Sequence, residues 1–243
     1  MPNEYFQFKQ FRVEQGACAQ KVSTDACLLG AAADLAGATR ILDIGTGTGL
    51  LALMAAQRAP QAFIEAVELD PAAAAQAAAN VAASPWAGRV RVHPLALAAY
   101  AATLEASPLF SHILCNPPFF LGSLRPPGAT RATARHAGES SLTFAELVAF
   151  AARFLQPQGQ LAVLLPPPEM QQLAHEARQV GLLPRSQLTV RHRPGGRPTR
   201  CVWEFGPGPG RPVAAHELAI AGAAGEQYSP AFRALLQPFY LHL

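Results

Sequence analysis

Residues 40–49 read Arg40-Ile41-Leu42-Asp43-Ile44-Gly45-Thr46-Gly47-Thr48-Gly49. A short apolar run of β character leads straight into glycines at alternate positions. A helical stretch follows from Gly49 to about Arg58, closed by Pro60. Glycines belong in such a strand-to-helix turn when the backbone needs unusual dihedrals and a ligand must come close to it. A dinucleotide fingerprint, G-x-G-x-x-G, would require glycine at position 50, where this chain has Leu50. Asp43 at the strand end is also the wrong charge for a pyrophosphate. The turn therefore reads as a ligand site of another kind.

Working outward from that turn, strand and helix keep alternating. Ala62 to Glu68 reads as a second strand. Asp70-Pro71 then gives an N-cap and a proline at the first helical position, for a helix to about Ala83. Arg89 to His93 is a third strand, and His112 to Cys115 ends a fourth. Thr143 and Glu146 form a capping box that opens another helix. Gln160 to Leu165 is a fifth strand, and the prolines after it start a helix that Gly181 can end. Repeated β-α units with apolar strands imply a parallel sheet covered on both faces. Gln187 to Arg191 and Arg200 to Phe205 break the rhythm, joined through the hairpin signal Pro194-Gly195-Gly196. A parallel doubly wound sheet with such a hairpin at its end resembles the class I methyltransferase (Rossmann-like) sheet, so the expected fold is α/β: doubly wound, mostly parallel and seven-stranded, ending in an antiparallel hairpin. One domain over 1–243 is expected. Residues 1–36 would form an N-terminal extension, with a small strand or hairpin over the aromatic residues 5–15 and a helix from Thr24-Asp25 to about Leu35. The catalytic core would span 37–206, and 207–243 would hold a linker (GPGPGRP) and a helix from Pro230 to Tyr240.

Composition excludes several classes. Half of the 243 residues are hydrophobic and 14% are charged, so the chain can bury a sizeable core and is neither disordered nor a stapled mini-protein. The uncharged stretch Pro71 to Gly88 is mostly alanine with Gln76, Asn80, Ser84 and Pro85, too weakly apolar to span a bilayer. The first residues, with Glu4, Lys9 and Arg12 among aromatics, lack a signal-peptide core. A soluble cytoplasmic protein with no membrane partner is expected. Cys18, Cys27, Cys115 and Cys201 show no metal-ligand spacing and read as buried apolar thiols, with no metal. The net charge of +3 is unevenly spread. Phe120 to Arg200 holds ten Arg against four Glu, while the remainder is acidic, and such a local basic field suits a polyanion.

Two motifs carry chemistry. A carboxylate at Asp43 suits a cationic ligand such as the amino and sulfonium groups of S-adenosylmethionine. Glu68, at the end of the second strand, is placed to accept hydrogen bonds from ribose hydroxyls, whereas Asp70 before Pro71 reads as a helix cap. The second motif is Asn116-Pro117-Pro118-Phe119, directly after the fourth strand. In adenine N6, cytosine N4, guanine N2 or a glutamine amide the nitrogen lone pair is conjugated and poorly nucleophilic. The Asn116 side-chain oxygen and the Pro117 carbonyl can accept its two hydrogens, draw it towards tetrahedral geometry and aim the lone pair. Pro117 and Pro118 stiffen the loop, and Phe119 offers a ring for a flipped base. Leu121 to Ser140, with Arg125, Arg131, Arg135 and His136, reads as a phosphate-contacting lid. The hairpin tip adds Arg191, Arg193, Arg197 and Arg200, of which Arg193 and Arg197 join the arginines of the lid as expected RNA-backbone contacts.

With these motifs in register, the chain resembles the bacterial tRNA (adenine-N6) methyltransferases that act on valine tRNA next to the anticodon. The resemblance covers nearly the whole chain. It rests on FKQF at Phe8 to Phe11, Lys21-Val22-Ser23-Thr24-Asp25, Leu28-Leu29-Gly30, the run from Asp43 to Arg58, and VELD from Val67. Ser84-Pro85-Trp86, the NPPF tetrapeptide and a tail ending Phe239-Tyr240 complete it. It implies that Lys21 and Thr24 help close over the methionine part of the cofactor, and that Asp43, Gly45, Thr46, Gly47, Gly49, Glu68 and Leu69 bind it. Asn116 to Phe119 would hold the base. One departure concerns position 96: the family commonly has an acid there for the adenine amino group of the cofactor, and this chain has Ala96. Losing that bond would weaken cofactor binding by about 1–2 kcal/mol.

Rival activities share the planar-nitrogen logic. Protein glutamine-N5 methyltransferases resemble a longer design with a helical N-terminal domain, for which the residues before Asp43 leave little room. Ribosomal RNA guanine-N2 methyltransferases usually carry an extra preceding domain. A non-catalytic RNA-binding protein on a degenerate methyltransferase fold finds slight support in Ala96 and is opposed by the intact NPPF and glycine turn. An NAD oxidoreductase is disfavoured by Leu50. The expected protein is thus an S-adenosylmethionine-dependent, monomeric enzyme acting on tRNA.

Overall fold

The computed structural model describes residues 4–18, 20–104, 109–117, 142–208, 213–222 and 227–243. It begins with an antiparallel pair, β1 (Tyr5–Gln7) and β2 (Arg12–Glu14), followed by α1 (Thr24–Ala32). Five β-α steps come next: β3 (Arg40–Ile44) and α2 (Leu50–Arg58), β4 (Phe63–Val67) and α3 (Pro71–Ala82), β5 (Val90–His93) and α4 (Leu97–Thr103), β6 (Phe110–Cys115) and α5 (Phe144–Phe154), then β7 (Leu155–Leu165) and α6 (Pro167–Gln179). The chain continues through β8 (Leu182–Arg191), β9 (Pro198–Pro207), β10 (Ala214–Ala219) and α7 (Pro230–Leu236).

The main sheet runs β10-β8-β9-β7-β6-β3-β4-β5. Neighbouring strands from β7 through to β5 are parallel, and β9 lies antiparallel to both β7 and β8. The doubly wound fold and its antiparallel hairpin match expectation. The sheet has eight strands among the described residues, one more than the sequence led us to expect. The eighth, β10, pairs parallel to β8 within the stretch read as linker and tail. Only Leu218 of its six residues is buried, so an edge strand of this composition has no alternating pattern to betray it. The short helix α4 was likewise not expected.

Strand period 2 divides the core between the two faces. On β3, Ile41 packs with α1, α2 and the terminal segments, while Leu42 and Ile44 pack with Tyr100, α5 and α6. Local signals set the helix ends. Ser23 caps α1, one residue ahead of the expected Thr24-Asp25, and Asp70 caps α3 by accepting from the Ala73 amide at 2.8 Å. Both halves of the Thr143/Glu146 capping box are formed, and Gly181 at φ +77° follows α6. The aromatic motifs of both termini converge. Phe8 lies 4.5 Å from Phe11 and 5.9 Å from Tyr240 between ring centroids, and Phe11 meets Trp86 edge-on at 5.5 Å. FKQF, Ser84-Pro85-Trp86 and Phe239-Tyr240 thus form one clasp behind the sheet, and their work is packing.

Candidate active site

The order β6-β3-β4 makes the carboxyl end of β3 a topological switch point, the place where open α/β sheets bind ligands. Asp43, Glu68 and Asn116 stand at or just beyond the carboxyl ends of these three adjacent strands. Ile44 is in register with both Val67 and Cys115, so the segments that follow them are neighbours.

The turn after β3 has φ of +70° at Gly45, +56° at Gly47 and +83° at Gly49. Gly49 is also crowded: a Cβ there would lie 3.4–3.5 Å from Ala77, whereas nothing stands within 4 Å of one built at Gly45 or Gly47. The glycines thus bring α3 against the turn on one side and leave open backbone on the other.

Asp43 is fully buried. Its Oδ2 accepts from the Thr46 hydroxyl at 2.5 Å and from the Ala52 amide at 3.1 Å, and its Oδ1 is buried with no hydrogen-bond partner among the described residues. Burial pushes its pKa up to about 7, against the pull of those two donors. A buried carboxylate with a bare oxygen is a costly arrangement that a bound cation would relieve. Glu68 Oε2 accepts from the Gly47 amide at 2.8 Å and Oε1 from the Asp70 amide at 3.0 Å. Each oxygen keeps lone-pair capacity for a further donor. Leu69, 45% exposed, presents an apolar side chain beside them. Ala96 caps α4 with extended backbone and no side-chain bond.

Asn116 lies half-buried immediately after β6, and its side-chain Oδ1 is buried without a partner among the described residues. Pro117 is buried beside it. Bare buried atoms occur elsewhere, as at Trp203 Nε1. The oxygens of Asp43 and Asn116, however, stand at the ends of adjacent strands, at the switch point of the sheet. This donor set fits a small cationic cofactor next to a substrate that offers N–H groups.

Lys21 and Thr24 are exposed at the start of α1. Asp25 pairs with Arg200 Nε at 2.7 Å, and Arg200 sits on β9 one residue from Cys201, which is in register with the last residue of β7. That ion pair puts the first turn of α1 at the carboxyl edge of the sheet. The Cys18 thiol is raised by burial and then by the nearby Glu68 and Asp70 carboxylates, which places residue 18 by the same site. The four hairpin arginines divide. Arg191 is bound to Glu217 at 2.8 Å and Arg200 to Asp25, while Arg193 and Arg197 are exposed at the tip. Pro118, Phe119, Arg125, Arg131, Arg135 and His136 lie outside the described residues.

Sequence reasoning missed two polar groups here. Glu65 on β4 is held by Arg40 (Nε at 2.8 Å) and Tyr100, with His93 Nε2 at 3.2 Å. Asn80 on α3 binds the glycine turn. Both depend on partners far away in sequence, so only the capping positions of α3 and not its interior gave a local signal.

All four cysteines are free and buried. Among the described residues no group of three His, Cys, Asp or Glu side chains could hold a metal ion, and no helix is long and apolar enough to cross a membrane.

A family model described as "Methyltransferase small domain" matches residues 18–174. A tRNA1(Val) (adenine(37)-N6)-methyltransferase of Bacteroides thetaiotaomicron is 41% identical over 244 residues, covering all of both chains. A protein of the same name from Tolumonas auensis is also 41% identical, over 100% of this chain and 99% of its own. Among solved structures, a predicted O-methyltransferase of Agrobacterium tumefaciens superposes with a TM-score of 0.63 at 21% identity, covering 88% of this chain and 96% of its own. A ribosomal protein L11 methylase of Lactobacillus delbrueckii subsp. bulgaricus gives a TM-score of 0.53 at 14% identity, covering 80% and 83%. At such identities these structures speak to the fold.

Proposed function

The chain belongs to the tRNA1(Val) (adenine(37)-N6)-methyltransferase family, and on that premise we propose that it methylates the exocyclic N6 of an adenine beside the anticodon of a tRNA, with S-adenosylmethionine as donor. When bound, that cofactor supplies an electrophilic methyl group on a cationic sulfur. The observation that carries the reading is the bare, buried Oδ1 of Asn116 at the end of β6, one strand from the bare Oδ1 of Asp43.

Asn116 Oδ1 and the Pro117 carbonyl accept the two N–H groups of the adenine amine. Their pull lowers conjugation of the nitrogen lone pair with the ring and directs it out of the ring plane. No side chain has to act as a tuned base, because the methylated ammonium is acidic enough to lose its proton to water. Asp43, raised by burial while its second oxygen is bare, returns to the carboxylate form beside a cation and holds it. Glu68 takes the ribose hydroxyls with its remaining lone pairs, and Leu69 walls the cofactor's adenine. The amides of the glycine turn line the floor, and Lys21 and Thr24 close from above. Ala96 offers no side-chain acceptor for the cofactor's adenine amine. Phe119 stacks on the extruded base. Arg125, Arg131, Arg135, Arg193 and Arg197 neutralise backbone phosphates and fix position without reading sequence. The reading takes 1–243 as one catalytic domain working as a monomer in the cytoplasm, where tRNA is found.

The test is methyl-labelling of total RNA and total protein by the purified enzyme, followed by nucleoside analysis. Label in N6-methyladenosine of a tRNA is the expected result. Label in glutamine of a protein, or in N2-methylguanosine, would replace this assignment with one of its rivals.

A further inference from the structure

We propose that Asn80 is a positioning residue that locks the N-terminal segment to the glycine turn and so sets the shape of the cofactor site. Asn80 lies in the middle of α3 in an alanine-rich helix and is 2% exposed. Its Oδ1 accepts from the Glu14 amide at 2.9 Å, and its Nδ2 donates to the Glu14 carbonyl and to the Thr48 carbonyl, both at 2.8 Å. One amide thus spends all three bonds on two backbone segments 34 residues apart, each flanking the candidate site. Thr48 lies between Gly47 and Gly49 on the floor. Glu14 ends β2 and leads into residues 15–24, which carry Cys18, Lys21 and Thr24.

Other bonds close this segment on itself and tie it to α3. Gln15 Oε1 accepts from the Val22 amide at 2.8 Å, and the Ala17 amide reaches Gln76 Oε1 on α3 at 3.4 Å. Asn80 differs from these in touching the floor as well as the cover. A buried amide this far from water is held only by full satisfaction of its bonds. No other side chain offers one acceptor and two donors in so small a plane: Asp would face two carbonyls with an oxygen, and Ala would leave three backbone groups bare. The fixed gap between Glu14 and Thr48 is what a cofactor lying on the turn would find already formed.

The inference rests on the reading that residues 43–49 hold the methyl donor, and the test separates the two. Titration calorimetry with S-adenosylhomocysteine and steady-state kinetics would compare the full chain with Asn80→Ala and Val81→Ala. Val81 is buried on the same helix and packs in the core behind it, so its truncation is a control for general destabilisation. Asn80→Ala is expected to raise the dissociation constant and the cofactor KM about tenfold, with kcat at saturating cofactor and the KM for tRNA within about twofold of the parent. Val81→Ala should lower Tm and leave cofactor affinity within about twofold. Equal losses in both variants, or none in either, would reduce Asn80 to a stability residue. If Asn80→Ala does not fold, hydrogen exchange on the parent chain decides. Binding of S-adenosylhomocysteine should slow exchange of the Glu14 amide, and an unchanged rate would overturn the coupling. A parent chain that binds no S-adenosylhomocysteine would sink both the cofactor assignment and this inference, whereas binding with no difference between variants sinks the positioning role alone.

Discussion

The two edges of the sheet treat their buried polar groups differently. At the amino edge, most of the buried polar groups among the described residues are met from within the protein, with Gln57 Oε1 an exception. Ser111 Oγ accepts from the Thr39 and Arg40 amides at 3.0 and 3.2 Å and donates to the Arg40 carbonyl at 2.9 Å. Glu204 accepts from the Asp34 amide at 2.6 Å, and Arg58 donates to the carbonyls of Gly30 and Ala33 at 2.9 and 2.7 Å. At the carboxyl edge, Asp43 and Asn116 each keep a buried oxygen with no partner among the described residues. Unpaired buried oxygens are costly, so the contacts named at the first edge serve stability, and the two bare oxygens at the second mark the place where the proposed ligands would bind.

Substitutions can break or sharpen that contrast. The largest effect is expected for Asn116→Ala. Transfer should fall by about 100-fold or more while cofactor affinity stays near that of the parent, and turnover at the parental rate would remove the acceptor role. Asp43→Asn comes next, with cofactor affinity falling about 10–100-fold in calorimetry. The sign of its pH dependence follows from burial. With a pKa near 7 in the cofactor-free chain, the carboxyl is mostly protonated below that pH and must lose its proton to hold a cation. Affinity for the donor should therefore climb as pH rises through about 7, and Asp43→Asn should flatten the climb. The same raised pKa means that the stability contributed by this group in the cofactor-free chain is lost as pH rises through about 7, which denaturation at several pH values would register.

Replacing Arg193 and Arg197 together by Ala should weaken tRNA binding and lower the slope of log affinity against log salt by about 1.4, or 0.7 per phosphate contact. An unaltered slope would return the hairpin tip to solvent. Ser111→Ala probes the opposite edge. It should cost about 1–3 kcal/mol in denaturant unfolding with no change in cofactor affinity, and a loss of affinity would blur the distinction between the edges. Ala96→Asp is the smallest change, expected to tighten the cofactor by about 1–2 kcal/mol. Because residue 96 is also the N-cap of α4, Tm should rise as well; a Tm gain with no gain in affinity would assign the substitution to the helix alone.

What could be read from sequence was whatever local order expresses. The run from Arg40 to Ile44, the Asp70 cap, the Thr143/Glu146 box and the glycine turn all depend on residues within a few positions of one another. So did the placement of Asn116 after a strand. The partners of Asp25 and Glu65 lie up to 175 residues away, at Arg200 and at Arg40, and no spacing announces them. Asn80 passed as a polar interruption in an alanine helix for the same reason. The strand β10 escaped because an edge strand with one buried side chain satisfies its backbone without a pattern.

The proposed transfer stands on the grip of Asn116 and Pro117 on an amino nitrogen. Its most direct test is a crystal structure with S-adenosylhomocysteine and an unmodified anticodon stem–loop. The adenine N6 should lie about 3 Å from both Asn116 Oδ1 and the Pro117 carbonyl, facing the cofactor sulfur. An adenine bound elsewhere, or a tetrapeptide turned away from that sulfur, would contradict it.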